Sequence, residues 1–179
     1  MGVIQEGMHT IHSKHLKSVV LKIDLSKACD QVSWTYLRDI LSKMGFVGSF
    51  ISWVMSNLSS VTFALLVNGA SSSFFKFGRG LRQGCPLAPL LFLIVVEGLS
   101  RDLLNVKECG IYHGIYFGNE VSLYHVLFVD DIVMVTDGND QTLSSLYEVL
   151  VVFCKGMKIN DEKYALYVSN LDEFEVIDL

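Results

Sequence analysis

The fold predicted for this chain depends on His125–Val135, read as HVLFVDDIVMV. Two short apolar runs, Val126–Val129 and Ile132–Val135, flank the adjacent carboxylates Asp130 and Asp131. Such runs on either side of a tight polar pair predict a β-hairpin with both aspartates at its tip. Adjacent carboxylates repel each other, and Asn-Gly or Asp-Gly would make a better plain turn. The pair therefore indicates a cation site, although aspartate also favours turns through local hydrogen bonds.

The composition is that of one packed globular domain with an acidic balance. The chain has 179 residues, of which 51% are hydrophobic, and a formal net charge of −5. That charge argues against a protein that binds nucleic acid unaided, because such proteins usually carry a basic stripe; a local basic face remains compatible with it. Four scattered cysteines without a C-x-x-C pair predict reduced thiols in an intracellular compartment, nuclear or cytoplasmic. No signal-peptide core or bilayer-length apolar run is present, so neither secretion nor a membrane partner is expected.

Hydrophobic periodicity predicts the remaining elements. The expected strands are Ser18–Leu25, Val61–Asn68, Phe74–Phe77, Tyr112–Phe117 and Tyr164–Ser169. The expected helices are one that Asp30 or Ser33 caps and Gly45 ends, then Ser49–Leu58, Leu90–Leu104 with its first half buried, and 141–155, capped by Asn139 or Asp140. This order predicts an α+β fold, a mainly antiparallel sheet with helices packed on one face. Asn68-Gly69 adds a further hairpin, Val61–Phe77.

Three histidines recur in the polar N-terminal stretch, at His9, His12 and His15. The spacing places them roughly on one side of a helix, where they could bind a metal ion. We favour a solvated helix face.

A further carboxylate, Asp24, lies near the end of the expected strand Ser18–Leu25. If that strand neighbours the central hairpin, Asp24, Asp130 and Asp131 converge at one edge of the sheet. Three ionised carboxylates so close together require divalent cations between them. Hard oxygen ligands select Mg²⁺ or Mn²⁺, and a pair of such ions about 4 Å apart supports phosphoryl or nucleotidyl transfer.

Three segments in order carry a resemblance to a known family. LKIDLSKACDQVSW (Leu21–Trp34), GLRQGCPLAPLLF (Gly80–Phe92) and HVLFVDDIVMV resemble the three central motifs of reverse transcriptases. The variant is that of non-LTR (LINE-type) retrotransposons, in the form common in plant genomes. The resemblance implies a polymerase palm-like sheet over residues 1–170, with most of the fingers and thumb absent, followed by an acidic tail at 171–179.

The resemblance also implies which residues would hold metal and move protons. Asp24 and Asp130 match the two metal-binding aspartates of the palm, and Asp131 matches a less critical third carboxylate. The backbone carbonyl of Leu25 would be a further metal ligand. Lys163 matches the lysine suggested as proton donor to the departing pyrophosphate. Two Mg²⁺ or Mn²⁺ ions are expected.

Nucleotide and template contacts are implied for the second motif and for one residue of the first. Gln83 and Gly84 match the pair that lies against the templating base and the incoming nucleotide. Arg82, in the same loop, is either a surface charge or a phosphate contact. Cys29 occupies the position where the family has Phe or Tyr, a ring thought to exclude the ribose 2′-hydroxyl. We therefore expect weak discrimination against ribonucleotides.

The implied function is RNA-directed DNA polymerisation, in which a primer 3′-hydroxyl attacks a nucleotide α-phosphate. Its partners would be an RNA template, a DNA primer and dNTPs, with the absent fingers and thumb segments as further candidate partners. As an isolated fragment the chain is expected to be inactive. The alternative is a catalytically inactive retrotransposon remnant that serves at most as a binding or structural module. A palm of an RNA-dependent RNA polymerase also has an acidic hairpin, but explains the other two motifs less well.

Overall fold

A computed structural model describes residues 2–25, 27–117, 121–128, 130–160 and 163–170 of the chain. Two features named above, the acidic tail 171–179 and Val129 next to the paired aspartates, lie outside these residues, as does the turn expected at Gly118-Asn119 after the strand Tyr112–Phe117. The domain bounds expected from the resemblance stay a prediction.

The described ranges contain six helices and eight strands. The helices are α1 (Gly2–Ser13), α2 (Ala28–Gln31), α3 (Trp34–Lys43), α4 (Gly48–Ser59), α5 (Ala88–Glu108) and α6 (Asp140–Cys154). The strands are β1 (Ser18–Asp24), β2 (Leu66–Val67), β3 (Ala70–Ser71), β4 (Ile115–Phe117), β5 (Val121–Leu123), β6 (His125–Phe128), β7 (Asp131–Thr136) and β8 (Ala165–Ser169). Among these helices, none combines the length and the apolar character that crossing a bilayer requires.

The chain forms two compact units. The first comprises Met1–Ser26, Leu99–Cys154 and Ile159–Leu179, and the second comprises Lys27–Gly98 and Lys155–Lys158. Each unit is described by itself below.

The first unit is built on a four-stranded sheet in the order β6-β7-β1-β8. Every neighbouring pair of strands in it is antiparallel. Three of its strands are rich in Val, Ile and Leu, which fit a pleated, buried surface. The structure confirms the predicted α+β class with its antiparallel palm-like sheet.

Helix α1 covers part of this sheet with an apolar stripe that its polar composition conceals. Ile11 is 4% exposed and belongs to a buried cluster with Val20, Val133 and Val135. Ile4 and Met8, which precede Ile11 by seven and three residues, pack against the same cluster. The three histidines are exposed, as expected of a solvated face. Helix α1 therefore contributes to the core of the first unit.

In the second unit the predicted helix caps are largely confirmed. Ser33, rather than Asp30, caps α3, because its hydroxyl accepts a hydrogen bond from the Tyr36 N–H over 3.4 Å. Gly45 follows α3 with a φ of +82°, the left-handed conformation in which glycine is favoured.

Helix α5 is longer than predicted and is not buried all round. Leu91 and Val95 are 1% and 0% exposed, whereas Leu90 and Leu93 are 57% and 61% exposed. The expectation that the whole first half is buried was therefore wrong. A helix with 3.6 residues per turn presents an uninterrupted apolar run to several directions, and only one side of it meets the core.

The hairpin predicted over Val61–Phe77 forms, but its strands are far shorter than expected. Asn68 and Gly69 have φ values of +51° and +82°, as the tight turn requires, and they join the two-residue strands β2 and β3. Beyond β3, the Ser72 hydroxyl accepts a hydrogen bond from the Leu65 N–H over 2.9 Å and donates one to the Ser73 carbonyl over 3.0 Å. Serine side chains that bond the local backbone compete with a regular ladder. The Ser72 N–H still donates to the Leu65 carbonyl over 2.8 Å, and farther from the turn Phe63 and Phe75 form an isolated bridge.

Two further predictions about strands need correction. The strand expected over Tyr112–Phe117 is only β4, and its partner β5 was not anticipated, because three residues carry too little periodicity to be recognised. In the central hairpin, Asp131 is the first residue of β7 and pairs with Phe128, so only Asp130 of the two aspartates lies in the turn.

Helix α6 matches its predicted position. The Asn139 side chain accepts a hydrogen bond from the Gln141 N–H over 2.9 Å and therefore caps the helix. Periodicity predicts that Leu143, Leu146, Leu150 and Phe153 face inward. Leu146 and Phe153 are buried, whereas Leu143 and Leu150 are only half-buried.

Candidate metal and nucleotide site

The first unit brings two acidic side chains together at the ends of neighbouring strands. Asp24 is the last residue of β1 and Asp131 is the first residue of β7, and the two are direct cross-strand partners. One step further, the Leu25 N–H donates to the Asp130 carbonyl over 3.0 Å. Hydrogen-bonded and non-hydrogen-bonded pairs alternate along antiparallel strands, so Asp24 and Asp131 form the closer, non-hydrogen-bonded type, with a usual Cα separation of about 4.5 Å.

Asp130 lies beside this pair but in the turn. Its side chain is exposed, whereas Asp24 and Asp131 are half-buried. Leu25 is 2% exposed and pairs with Asp130 on one side and with Ile159 on the other. The structure thus gathers all four predicted metal-site residues at one end of β1 and β7, with Asp131 rather than Asp130 directly opposite Asp24.

Two residues that the sequence analysis did not single out contact these carboxylates. The Asn160 side-chain amide donates to Asp24 Oδ2 over 3.0 Å, and Lys22 Nζ lies 3.0 Å from Asp131 Oδ1. The signal for Lys22 was its position two residues before Asp24, because residues i and i+2 of a strand share a face. No local signal marked Asn160, which is distant in sequence and reaches the site through the loop before β8.

The donor chemistry of this edge fits a hard divalent cation. Carboxylate and backbone carbonyl oxygens are the ligands that Mg²⁺ and Mn²⁺ prefer, and two carboxylates directly opposite each other gain from a cation between them. Among the described residues, however, no three His, Cys, Asp or Glu side chains are grouped closely enough to hold a metal ion. Asp24 and Asp131 are therefore the residues that fit it most directly.

Lys163 lies in the same loop as Asn160. Its side chain is exposed, and its backbone N–H donates to the Asn160 carbonyl over 3.1 Å. The Asn160 N–H in turn donates to the Asp24 carbonyl over 2.9 Å. A chain of backbone hydrogen bonds therefore links the backbone of the predicted proton donor to that of the predicted metal ligand, while Asp161 and Glu162 lie outside the described residues.

The residues expected to contact nucleotide and template belong to the second unit. The Gln83 side-chain amide donates to both carboxylate oxygens of Asp30, over 3.1 and 3.3 Å. A hydrogen bond to an ionised acceptor is stronger than one between neutral groups, so Asp30 holds the Gln83 amide in place. Gly84 has a φ of +76° in the turn that follows. Arg82 is exposed.

The loop that carries Gln83 is fastened to the segment that carries Cys29. The Leu81 N–H donates to the Cys29 carbonyl over 2.7 Å, and the Gly80 N–H donates to the Val32 carbonyl over 2.8 Å. The Trp34 indole N–H donates to the Gly80 carbonyl over 2.8 Å. The later part of the first motif, from Cys29 to Trp34, and the start of the second motif therefore form one hydrogen-bonded structure in the second unit.

Among the residues that form these hydrogen bonds between the loop and the Cys29 segment, Gly80 is the one that must be glycine. Its φ is +90°, and a Cβ placed there would lie 2.7 Å from the Asp30 carbonyl oxygen. Both the backbone conformation and the close approach exclude a larger residue.

Cys29 is a half-buried free thiol, like Cys85. Burial and, to a lesser extent, the neighbouring Asp30 carboxylate raise the pKa of the Cys29 thiol. A raised pKa keeps the Cys29 thiol protonated near neutral pH. Because only the thiolate is nucleophilic, Cys29 does not have the character of a catalytic cysteine.

Comparison with known families decides the identity of this arrangement. The model of the family described as reverse transcriptase (RNA-dependent DNA polymerase) matches residues 2–175. The chain belongs to the reverse transcriptase family. This membership agrees with the antiparallel sheet and with the three motifs from which it was expected.

Curated relatives indicate which type of reverse transcriptase the chain resembles. The chain is similar to the Pol polyprotein of the type-2 retrotransposable element R2DM of Drosophila melanogaster, with 30% identity over 154 residues, 84% of the chain and 14% of the relative. It is also similar to the Pol polyprotein of the R2 element of Popillia japonica, with 26% identity over 161 residues, 88% of the chain and 26% of the relative. These relatives confirm the predicted non-LTR retrotransposon type. The plant form stays a prediction, although an uncharacterised mitochondrial protein of Arabidopsis thaliana is 40% identical over 67 residues, 37% of the chain and 55% of that protein.

Solved structures of similar fold include telomerases. The apo telomerase of Candida tropicalis, truncated from its C-terminal domain, gives a TM-score of 0.63 at 14% identity and covers 96% of this chain and 35% of that one. The telomerase of Candida albicans, in complex with a TWJ fragment of telomeric RNA, gives a TM-score of 0.65 at 13% identity. The match covers 96% of this chain and 30% of that telomerase. At these identities the likeness concerns the fold alone, and it supports the palm-like reading of the sheet.

Proposed function

We propose that this chain is the palm region of an RNA-directed DNA polymerase that performs two-metal nucleotidyl transfer. The observation that carries the proposal is the cross-strand pair of Asp24 and Asp131, with Asp130 next to it in the turn. The chain spans only 14% and 26% of the two R2 relatives described above, so the activity of a whole polyprotein enters here as a proposal.

In the proposed reaction a bond forms between the primer 3′-oxygen and the α-phosphorus of a dNTP, and the bond to pyrophosphate breaks. Asp24, Asp130 and Asp131, with the carbonyl of Leu25, would hold two Mg²⁺ or Mn²⁺ ions. Such ions, when bound, lower the pKa of the attacking hydroxyl and neutralise phosphate charge. Lys163 would give a proton to the leaving pyrophosphate.

Nucleotide positioning falls to the second unit in this proposal. Gln83, oriented by Asp30, would present its amide to the nucleobases, and Gly84 would allow close approach of the backbone. Cys29 would stand beside the sugar, where a small side chain leaves room for a 2′-hydroxyl.

An RNA template and a DNA primer are the proposed partners, and local charge supports them in spite of the acidic total. Residues 40–96 contain no Asp or Glu and carry Lys43, Lys76, Arg79 and Arg82. All four are exposed, and Phe77, which lies between Lys76 and Arg79, is 51% exposed. Basic side chains that bind phosphates, interleaved with aromatic rings that stack on bases, are typical of single-strand binding.

Free thiols at all four cysteines are consistent with the intracellular setting that such partners require.

Primer extension tests the proposal. Because the isolated fragment is expected to be inactive, the chain is tested with fingers and thumb segments restored to it. A labelled DNA primer on an RNA template is incubated with dNTPs, Mg²⁺ or Mn²⁺, and this completed chain, its Asp24→Asn variant or the matched control Asp39→Asn, which alters an exposed carboxylate of α3. Extension by the chain and by the control, but not by Asp24→Asn, supports the proposal. Absence of extension in all three, with the template still bound, favours the alternative of a non-catalytic binding module.

A further inference from the structure

The ion pair between Lys22 and Asp131 is a feature of the carboxylate edge that has no role in the proposed reaction. Lys22 and Asp24 lie on the same face of β1, because they are two residues apart. The direct cross-strand partner of Lys22 is Val133, so Asp131 is its diagonal neighbour. Lys22 Nζ nevertheless reaches Asp131 Oδ1 at 3.0 Å, with 41% of the Lys22 side chain and 27% of the Asp131 side chain exposed.

This arrangement compensates an unfavourable pair. Two ionised carboxylates directly opposite each other on neighbouring strands repel, and Asp24 and Asp131 are such a pair. The Asn160 amide, which is neutral, bonds Asp24, whereas the ammonium of Lys22 bonds Asp131. Lys22 thus places a positive charge beside Asp131, at the edge where the proposed cation would bind.

We propose that Lys22 is a built-in counterion of this carboxylate pair, which a divalent cation must displace from Asp131 in order to bind. The inference rests on the proposed function, because it concerns the same metal site. The lysine side chain is a flexible four-carbon stem with a strongly hydrated ammonium group, so on displacement it moves to solvent at small cost. Lys22 therefore stabilises the protein without metal and lowers the affinity of the site for the cation.

The two effects have opposite signs, which separates this role from a merely structural one. Removing the Lys22 charge leaves Asp24 and Asp131 repelling each other in metal-free protein, so stability without metal falls. The same removal frees Asp131 for the cation, so the affinity for metal rises. A substitution that only disturbed packing would lower both.

Calorimetric titration with Mn²⁺ and thermal unfolding with and without Mn²⁺ test the proposal on the whole chain. The variant Lys22→Met keeps most of the stem without the charge. Lys22→Arg keeps the charge. Lys14→Met removes an exposed charge of the same unit and controls for the general change in net charge.

We expect Lys22→Met to bind Mn²⁺ about two- to fivefold more tightly than the unaltered chain, because exposed ion pairs contribute differences of about that size. Its midpoint of unfolding should fall without metal and rise more steeply on adding Mn²⁺. Lys14→Met should change the affinity less, and Lys22→Arg should not raise it. The gain should shrink with added salt.

Unchanged or weaker Mn²⁺ binding by Lys22→Met, with the unaltered chain binding normally, overturns the counterion role and leaves the proposed function standing. A gain of equal size in Lys14→Met reduces the effect to net charge and also overturns it. If the unaltered chain and Lys22→Met both fail to bind Mn²⁺, the metal site itself fails, and the counterion role fails with it.

Discussion

Asn160 bonds both the side chain and the backbone of Asp24, although the two residues are 136 positions apart in the sequence. The amide of Asn160 donates to the carboxylate over 3.0 Å, and its N–H donates to the carbonyl over 2.9 Å. These two bonds attach the loop before β8 to the end of β1, and they fix one oxygen of the Asp24 carboxylate.

We expect Asn160→Ala to lower the free energy of unfolding by about 1 kcal/mol, because a hydrogen bond to a half-buried ionised acceptor contributes about that much or more. Urea unfolding at neutral pH measures the change. The matched control is Asn105→Ala on the exposed side of α5, which should change stability by less than about 0.5 kcal/mol. Equal stability of Asn160→Ala and the unaltered chain would show that this contact does not hold the loop.

Gly80→Ala should be among the most destabilising glycine-to-alanine substitutions in the second unit. A methyl group there meets the Asp30 carbonyl oxygen at 2.7 Å, in a backbone with a φ of +90°. We expect a loss of about 2 kcal/mol or more in urea unfolding, because both strain and the loss of loop fastening contribute. Gly48→Ala is the control, since nothing lies within 4 Å of its added Cβ and its φ is not positive. A Gly80→Ala variant as stable as the control would contradict this account of the loop.

Cys29 should react slowly with thiol reagents. Burial and the Asp30 carboxylate raise its pKa, so a smaller fraction of the thiol is ionised at any given pH, and only the thiolate attacks. Alkylation by iodoacetamide, followed residue by residue with mass spectrometry, should label the exposed Cys109 first at pH 8. The Cys29 rate should keep rising as the pH is taken above 9, the usual thiol value. Labelling of Cys29 as early as Cys109 would be inconsistent with the raised pKa.

The same residue carries a prediction about substrate choice that rests on the proposed function. A thiol in place of an aromatic ring leaves space for a 2′-hydroxyl, so the chain, with fingers and thumb segments restored, should discriminate against ribonucleotides only weakly. Cys29→Phe should restore preference for the deoxy form, with comparable incorporation of dNTP. Primer extension with matched NTP and dNTP concentrations measures the ratio. A strong preference for deoxyribonucleotides without the Cys29→Phe substitution would contradict this prediction.

The sequence predicted those parts of the fold that local pattern specifies. The apolar runs of β1 and β7 placed Asp24 near a strand end and the paired aspartates at a hairpin tip. The register of the structure makes Asp24 and Asp131 neighbours, with Asp131 inside β7. Ser33, Gly45 and Asn68-Gly69 marked helix and turn boundaries, because capping and left-handed backbone depend on residues close in sequence.

What could not be predicted depends on contacts between distant segments. The apolar stripe of α1 is buried only because β1 and β7 offer it a surface, and its polar neighbours conceal it. Likewise, Lys22 and Asn160 reach the carboxylates through strand register and loop closure, which the sequence alone does not specify. The bond from Gln83 to Asp30 joins two motifs that the resemblance treats separately.

Mn²⁺ binding, followed by isothermal calorimetry, tests the central claim most directly: that Asp24, Asp130 and Asp131 form a divalent-cation site. The chain is compared with Asp130→Asn, and with Asp39→Asn as a control that removes an exposed carboxylate from α3. We expect the chain and the control to bind Mn²⁺ alike, and Asp130→Asn to lose at least about tenfold in affinity, since it removes a charged ligand. Equal binding by all three, or binding by none, would contradict the account.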